Sequence, residues 1–93
     1  MEEWKEISVD RRYEVSNMGR VRNKKSGHIL ATNPTKSHRH PQVFLMGNMM
    51  GRLQLTVSRL VYVAFVGKIK DTERIYHLDG NIFNNRVENL YKH

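Results

Sequence analysis

Apolar and polar positions alternate along most of the first two-thirds of the chain, and the period lengthens after residue 57. Trp4-Lys5-Glu6-Ile7 fits a short strand. Tyr13-Glu14-Val15-Ser16 alternates, Asn17-Met18-Gly19 supplies turn chemistry, and Arg20-Val21-Arg22-Asn23 alternates again. That succession predicts a β-hairpin with Tyr13, Val15 and Val21 on its apolar face. Side chains alternate across a strand, so Arg20 and Arg22 fall on the opposite face. Lys24-Lys25-Ser26-Gly27 reads as a second turn and His28-Ile29-Leu30-Ala31 as a further strand. Residues 33–41 form a polar, basic loop bracketed by two prolines. Gln42-Val43-Phe44-Leu45-Met46 and Leu53-Gln54-Leu55-Thr56-Val57 predict strands around a turn at 47–51. These strands are expected to make one small antiparallel sheet with basic residues at its turns and on one face.

Beyond residue 57 the spacing becomes helical. Ser58 is a suitable N-cap for a helix through residues 59–66, and Gly67 a suitable stop. Leu60, Val61, Ala64 and Phe65 share one helical face. Residues 74–77 look extended, residues 78–85 form a turn-rich loop, residues 86–89 suit one helical turn and residues 90–93 begin a last strand. The expected fold class is therefore α+β, a small N-terminal antiparallel β-sheet followed by a helix and a short strand–loop–strand unit.

Charge changes the picture more than composition does. The chain has 93 residues, 16 Lys and Arg, 9 Asp and Glu, and a formal net charge of +7. No acidic residue occurs between Val15 and Lys70, a stretch that carries ten bases, while both ends are net acidic. Such a block points to a polyanionic partner, foremost nucleic acid. Zero Cys removes disulfide scaffolds, Cys-based zinc modules and cysteine nucleophiles. No apolar run approaches the ~20 residues of a membrane span, and the acidic N-terminus does not resemble a signal sequence. A cytoplasmic protein without a membrane partner is expected. The residues assigned to nucleic-acid contact are Arg20, Arg22, Lys24, Lys25, Lys36, Arg39 and Arg52, most of them as phosphate contacts.

The candidate reactive group is His77, at the end of a predicted strand and followed by an Asn- and Gly-rich loop. An imidazole can take a proton from a water that attacks phosphorus. Asp79, Asn81, Asn84, Asn85 and Asn89 can cap backbone groups and hold that loop in shape. The same residues also suit a plain tight turn, with His77 incidental. His38 and His40, beside Arg39, read as phosphate contacts or solvated residues rather than metal ligands. No residue is assigned as a metal ligand.

Two stretches resemble known families. Trp4-Lys5-Glu6-Ile7 followed by Tyr13-Glu14-Val15-Ser16-Asn17-Met18-Gly19-Arg20-Val21-Arg22 resembles the nuclease-associated modular domain of phage and intron-encoded endonucleases. Arg59-Leu60-Val61 with Ala64-Phe65, then His77-Leu78-Asp79-Gly80-Asn81, then Asn84-Asn85-Arg86-Val87-Glu88-Asn89-Leu90, resembles the His-Asn-His (HNH) homing-endonuclease domain. The resemblance covers Trp4 to Tyr91. It implies a basic nuclease-associated β-sheet module at 1–57 and, at 58–93, an incomplete ββα-metal (HNH) unit that lacks its C-terminal helix. It further implies that His77 is the general base and that Mg²⁺ or Mn²⁺ is the cofactor if the chain is active.

Three positions depart from the family pattern. Tyr76 stands where relatives carry a metal-binding Asp or Asn, and a phenol is a poor ligand for a hard cation at neutral pH. Ser58 stands where many relatives carry His. The chain ends at His93, before the helix expected to bring a further metal ligand. The leading expectation is a phage-related, DNA-binding HNH-like protein that has lost metal-dependent cleavage. Double-stranded DNA is the expected partner, with another nucleic acid as the alternative. The competing expectations are an active HNH endonuclease, as a dimer or within a longer parent chain, and a small phage inhibitor that binds a host nucleoprotein defence complex.

Overall fold

The computed structural model describes residues 1–8, 10–30, 41–47, 51–70 and 72–92. Strands β1 (Trp4–Ile7), β2 (Asp10–Ser16) and β3 (Val21–Asn23) form an antiparallel sheet with β2 in the centre. The expected hairpin is present, with Val15 opposite Val21 and Tyr13 opposite Asn23. Its turn closes through the Ser16 N–H, which donates to the Arg20 carbonyl at 2.8 Å. The Ser16 hydroxyl accepts from the Met18 and Arg20 N–H groups at 3.2 and 3.1 Å. Gly19 sits at φ +88°, a left-handed conformation that disfavours any side chain.

The single sheet expected from alternation is instead two. Among the described residues β4 (Gln42–Gly47) and β5 (Gly51–Thr56) pair only with each other, Gln42 opposite Thr56 and Gly47 opposite Gly51. The strand expected at residues 28–31 reduces, within the described residues, to a bridge from Ile29 to Arg22. β3 is three residues long, so it offers little edge to extend. The loop at 33–41 lies, up to residue 40, outside the described residues, as does the turn at 48–50.

Helix α1 (Val57–Phe65) starts directly from β5, with Thr56 as N-cap and no side-chain capping bond. Ser58 is therefore not the cap; it lies inside the first turn and is 4% exposed. The cause is Val57. Its N–H donates to the Pro41 carbonyl at 3.0 Å, and its fully buried side chain begins the helical face that Val61 continues one turn later. The helix ends on Val66, and the Val66 and Gly67 N–H groups both reach the Tyr62 carbonyl, at 2.8 and 3.1 Å. Gly67 follows the end without adopting the left-handed conformation expected of a glycine stop.

β6 (Ile75–His77) and β7 (Leu90–Lys92) form the third sheet, joined by the 78–86 loop and a single 3₁₀ turn, Val87–Asn89. One core draws on every part: Ile7, Tyr13, Val15 and Val21 from the first sheet, Val43 and Leu45 from β4, Val57 and Val61 from α1, and Leu90 from β7. Each such side chain contributes about 1.5–3 kcal/mol of transfer free energy. The site loop at 78–86 is thus anchored to the same core as the N-terminal hairpin. No helix among the described residues is long and apolar enough to cross a membrane.

Candidate active site and its basic surroundings

The loop after β6 is built around Asp79. Its Oδ1 accepts from the Asn81 N–H at 2.8 Å and from Asn89 Nδ2 at 3.0 Å, and its Oδ2 accepts from Asn84 Nδ2 at 2.9 Å. Asn89 completes the ring. It donates to the Asn84 carbonyl at 2.9 Å and accepts from the Asp79 N–H at 3.1 Å. Asn81 in turn accepts from the Phe83 N–H at 3.0 Å. Gly80, at φ +74°, lets the chain reverse after Asp79. The Asn84 side chain, the Asn81 amide and the Asn89 side chain all favour the ionised form, holding the Asp79 carboxyl down to about 2.

That shift fixes a pH dependence. The folded value lies below the ordinary 3.8, so the stabilisation is fully present above pH 3.8 and is lost as pH falls through about 2. Asp79→Asn is expected to flatten the loss of thermal stability between these pH values, leaving the part due to other carboxylates. Thermal melts across that range check it; an unchanged slope would remove Asp79 from the account.

His77 closes β6, opposite Leu90. Its Nε2 lies 2.7 Å from Asn85 Oδ1. A carbonyl oxygen only accepts, so Nε2 carries the proton and the lone pair of the neutral ring falls on Nδ1. Asn85 is 5% exposed, which holds its amide in place behind the imidazole. Beside His77 a cleft of about 290 Å³ is lined by Arg74, Ile75, Tyr76, His77, Gly80 and Ile82. Arg74 is exposed and makes no ion pair with another described residue. A guanidinium and an imidazole on one small cleft suit a phosphodiester, the first by binding non-bridging oxygens. The sequence reading passed over Arg74. The available signal was an arginine three residues before His77, leading into the same strand.

Tyr76 stacks on Tyr91 across the β6–β7 pair, with ring centroids 5.5 Å apart and planes at 25°. Asp79 is committed to three loop partners. No group of three or more His, Cys, Asp or Glu among the described residues is close enough to hold an ion.

The basic residues divide into paired and unpaired. Arg20 Nε donates to Glu2 at 2.9 Å, Arg22 Nε donates to Glu14 at 2.9 Å, and Lys24 pairs with Glu6. Arg22 also lies 3.9 Å above the Trp4 ring, with Arg20 at 5.6 Å. The bond from Arg20 is the main cause that lowers the Glu2 carboxyl to about 2. Strand register accounts for the Arg22 pair, since Glu14 lies opposite Arg22. Segregated along the sequence, the acids and bases are neighbours across the sheet. Lys5, Arg11, Lys25, Arg59, Lys68, Lys70, Arg74 and Arg86 make no ion pair with another described residue. Lys36 and Arg39, with His38 and His40, lie outside the described residues, as does the side chain of Arg52.

Residues 2–45 match the family described as the NUMOD4 motif, and residues 56–91 match the family described as HNH endonuclease. An uncharacterized HNH endonuclease of Acanthamoeba polyphaga mimivirus is 33% identical over 94 residues, spanning 97% of this chain and 28% of that protein. A solved structure reporting DNA binding and cleavage by the HNH homing endonuclease I-HmuI matches with a TM-score of 0.83 at 32% identity. That match covers 98% of this chain and 52% of the I-HmuI chain, so the present chain spans only part of either relative.

Proposed function

The chain is an HNH homing-endonuclease-like protein, and from that premise we propose that it binds double-stranded DNA with a backbone phosphate seated in the Arg74–His77 cleft. The cleft supports this reading because it places a guanidinium that makes no ion pair with another described residue beside an oriented imidazole. The DNA binding and cleavage reported for I-HmuI supply the kind of polyanion. We further propose that these 93 residues alone do not cleave. The observation that supports this second part is the Tyr76–Tyr91 stack, an aromatic pair at the position where the family resemblance implies an oxygen ligand.

A second reading is favoured by His77 itself. Its Nε2 is held by a buried amide, the arrangement a general base needs. In a longer protein carrying this segment, oxygen ligands from outside residues 1–93 would complete the site, and His77 would take the proton of the attacking water.

Plasmid nicking with Mg²⁺ and with Mn²⁺ distinguishes the two. The chain alone is expected to bind duplex DNA and leave supercoiled plasmid intact with either ion, and Mn²⁺ calorimetry is expected to show no binding. Nicking by these 93 residues that disappears in His77→Ala would overturn the first reading and establish the second without outside ligands.

A further inference from the structure

The turn at residues 17–19 belongs to the N-terminal sheet, yet it packs on the site loop. A Cβ built on Gly19 would lie 2.9 Å from Asn85 Cβ and 3.0 Å from the Asn85 carbonyl oxygen. Both are closer than ordinary contacts. The Asn17 carbonyl accepts from the Val87 N–H at 2.9 Å, two residues beyond Asn85. On its other side the turn is tied to the N-terminal segment. The Asn17 N–H donates to the Glu3 carbonyl at 3.1 Å, and Asn17 Oδ1 accepts from the Glu3 N–H at 2.9 Å. Asn85 is therefore gripped between this turn and the imidazole it faces at 2.7 Å.

We propose that the 17–19 turn is a positioning element for His77, acting through Asn85, so that the N-terminal sheet fixes which nitrogen of the site histidine carries the proton. The proposal rests on His77 being the proton acceptor of the site. It assigns the N-terminal sheet a task separate from holding nucleic acid. Gly19 matters for its missing side chain as well as for its φ. Any side chain there meets Asn85, the residue whose Oδ1 faces His77 Nε2.

The molecule contains its own control. Gly27 has φ +76°, nearly the backbone conformation of Gly19, but a Cβ on it meets nothing within 4 Å. Gly19→Ala and Gly27→Ala therefore introduce similar backbone strain, and only the first introduces a contact with Asn85. The readout is the ring-nitrogen NMR spectrum of ¹⁵N-histidine-labelled chain, with the His77 signals assigned by their absence in His77→Gln. Asn85→Ala sets the reference by removing the Nε2 partner outright.

Gly19→Ala is expected to move the His77 ring signals in the direction Asn85→Ala does, while Gly27→Ala leaves them in place. A folded Gly19→Ala protein with wild-type His77 signals overturns the proposal, as does an equal shift in Gly27→Ala. Should Gly19→Ala fail to fold, Asn17→Ala, which cuts the turn's side-chain tie to the Glu3 N–H without adding an atom, is expected to move the His77 ring signals in the direction Asn85→Ala does; unchanged signals overturn the proposal. The readout involves no DNA and no cleavage, so it stands or falls apart from the proposed function.

Discussion

Affinity for duplex DNA is expected to fall by about 10³-fold between 50 and 200 mM salt, the loss typical of some six phosphate contacts. Eight cations make no ion pair with another described residue; setting aside Lys5 and Arg11 in the acidic N-terminal segment leaves six, Lys25, Arg59, Lys68, Lys70, Arg74 and Arg86. If all six reach phosphates, each contributes roughly −0.9 to the slope of log K against log salt, about −5 in total. Arg20, Arg22 and Lys24 behave differently. Each already holds a carboxylate, and moving it to a phosphate leaves Glu2, Glu14 or Glu6 unpaired beside the DNA. The gain from exchanging one anion for another is small, since exposed ion pairs are worth at most about 1 kcal/mol. Arg74→Gln is therefore expected to lower the magnitude of the slope by about one and weaken binding at every salt concentration, whereas Arg20→Gln leaves the slope nearly unchanged. Fluorescence anisotropy of a labelled duplex over a salt series measures both. A flat salt dependence would remove DNA phosphates as the ligand of this surface. A full unit lost in Arg20→Gln would show that the paired arginines turn outward to bind.

The contrast between these arginines shows what the sequence carried and what it withheld. Alternation placed the β2–β3 hairpin correctly because Tyr13, Val15 and Val21 are buried on one face, and burial of one face leaves a period-two trace in a strand. The division into separate sheets left no such trace. It depends on which edges meet, and strands on both sides of residues 31–40 look alike. The acid-free block was plain in the sequence, but net charge along a chain says nothing about cross-strand neighbours. Register brings Glu14 against Arg22, and the bonds then bring Glu2 to Arg20 and Glu6 to Lys24. In the site, Asp79, Asn81, Asn84, Asn85 and Asn89 were recognisable as loop formers by residue type. Their separate tasks were not, because Asn85 serves the imidazole while the other four close on each other. Arg74 escaped because its importance lies in a shared cleft. Ser58 misled because a hydroxyl ahead of an apolar run has the residue type of a cap, while the buried Val57 before it drew the helix start back by two positions.

Asn89→Ala is expected to destabilise the fold by about 2–4 kcal/mol, the sum expected for three lost hydrogen bonds with some orphaned partners. A chain of this size has roughly 5–14 kcal/mol in all, so the loss is a large share of its stability. Asn89 is 8% exposed, and its side chain donates to Asp79 Oδ1 and the Asn84 carbonyl and accepts from the Asp79 N–H. The Asn89 backbone carbonyl accepts from the Leu78 N–H at 2.8 Å and is untouched by the substitution. The truncation therefore tests the side-chain ring alone. Asn89→Asp separates shape from chemistry. It is nearly isosteric, but it removes both Nδ2 donor bonds and sets a carboxylate against Asp79, whose carboxyl is held ionised down to about 2. At neutral pH the aspartate variant is expected to be less stable than the alanine variant, and to regain part of that difference as acid protonates the new group. Urea denaturation at pH 7 and pH 4 reads both effects. An alanine variant within about 0.5 kcal/mol of wild type, the range of ordinary surface substitutions, would show that water replaces the ring without cost and that the loop does not depend on it. A stable aspartate variant at pH 7 would show that Asp79 is not the anionic centre around which the loop closes.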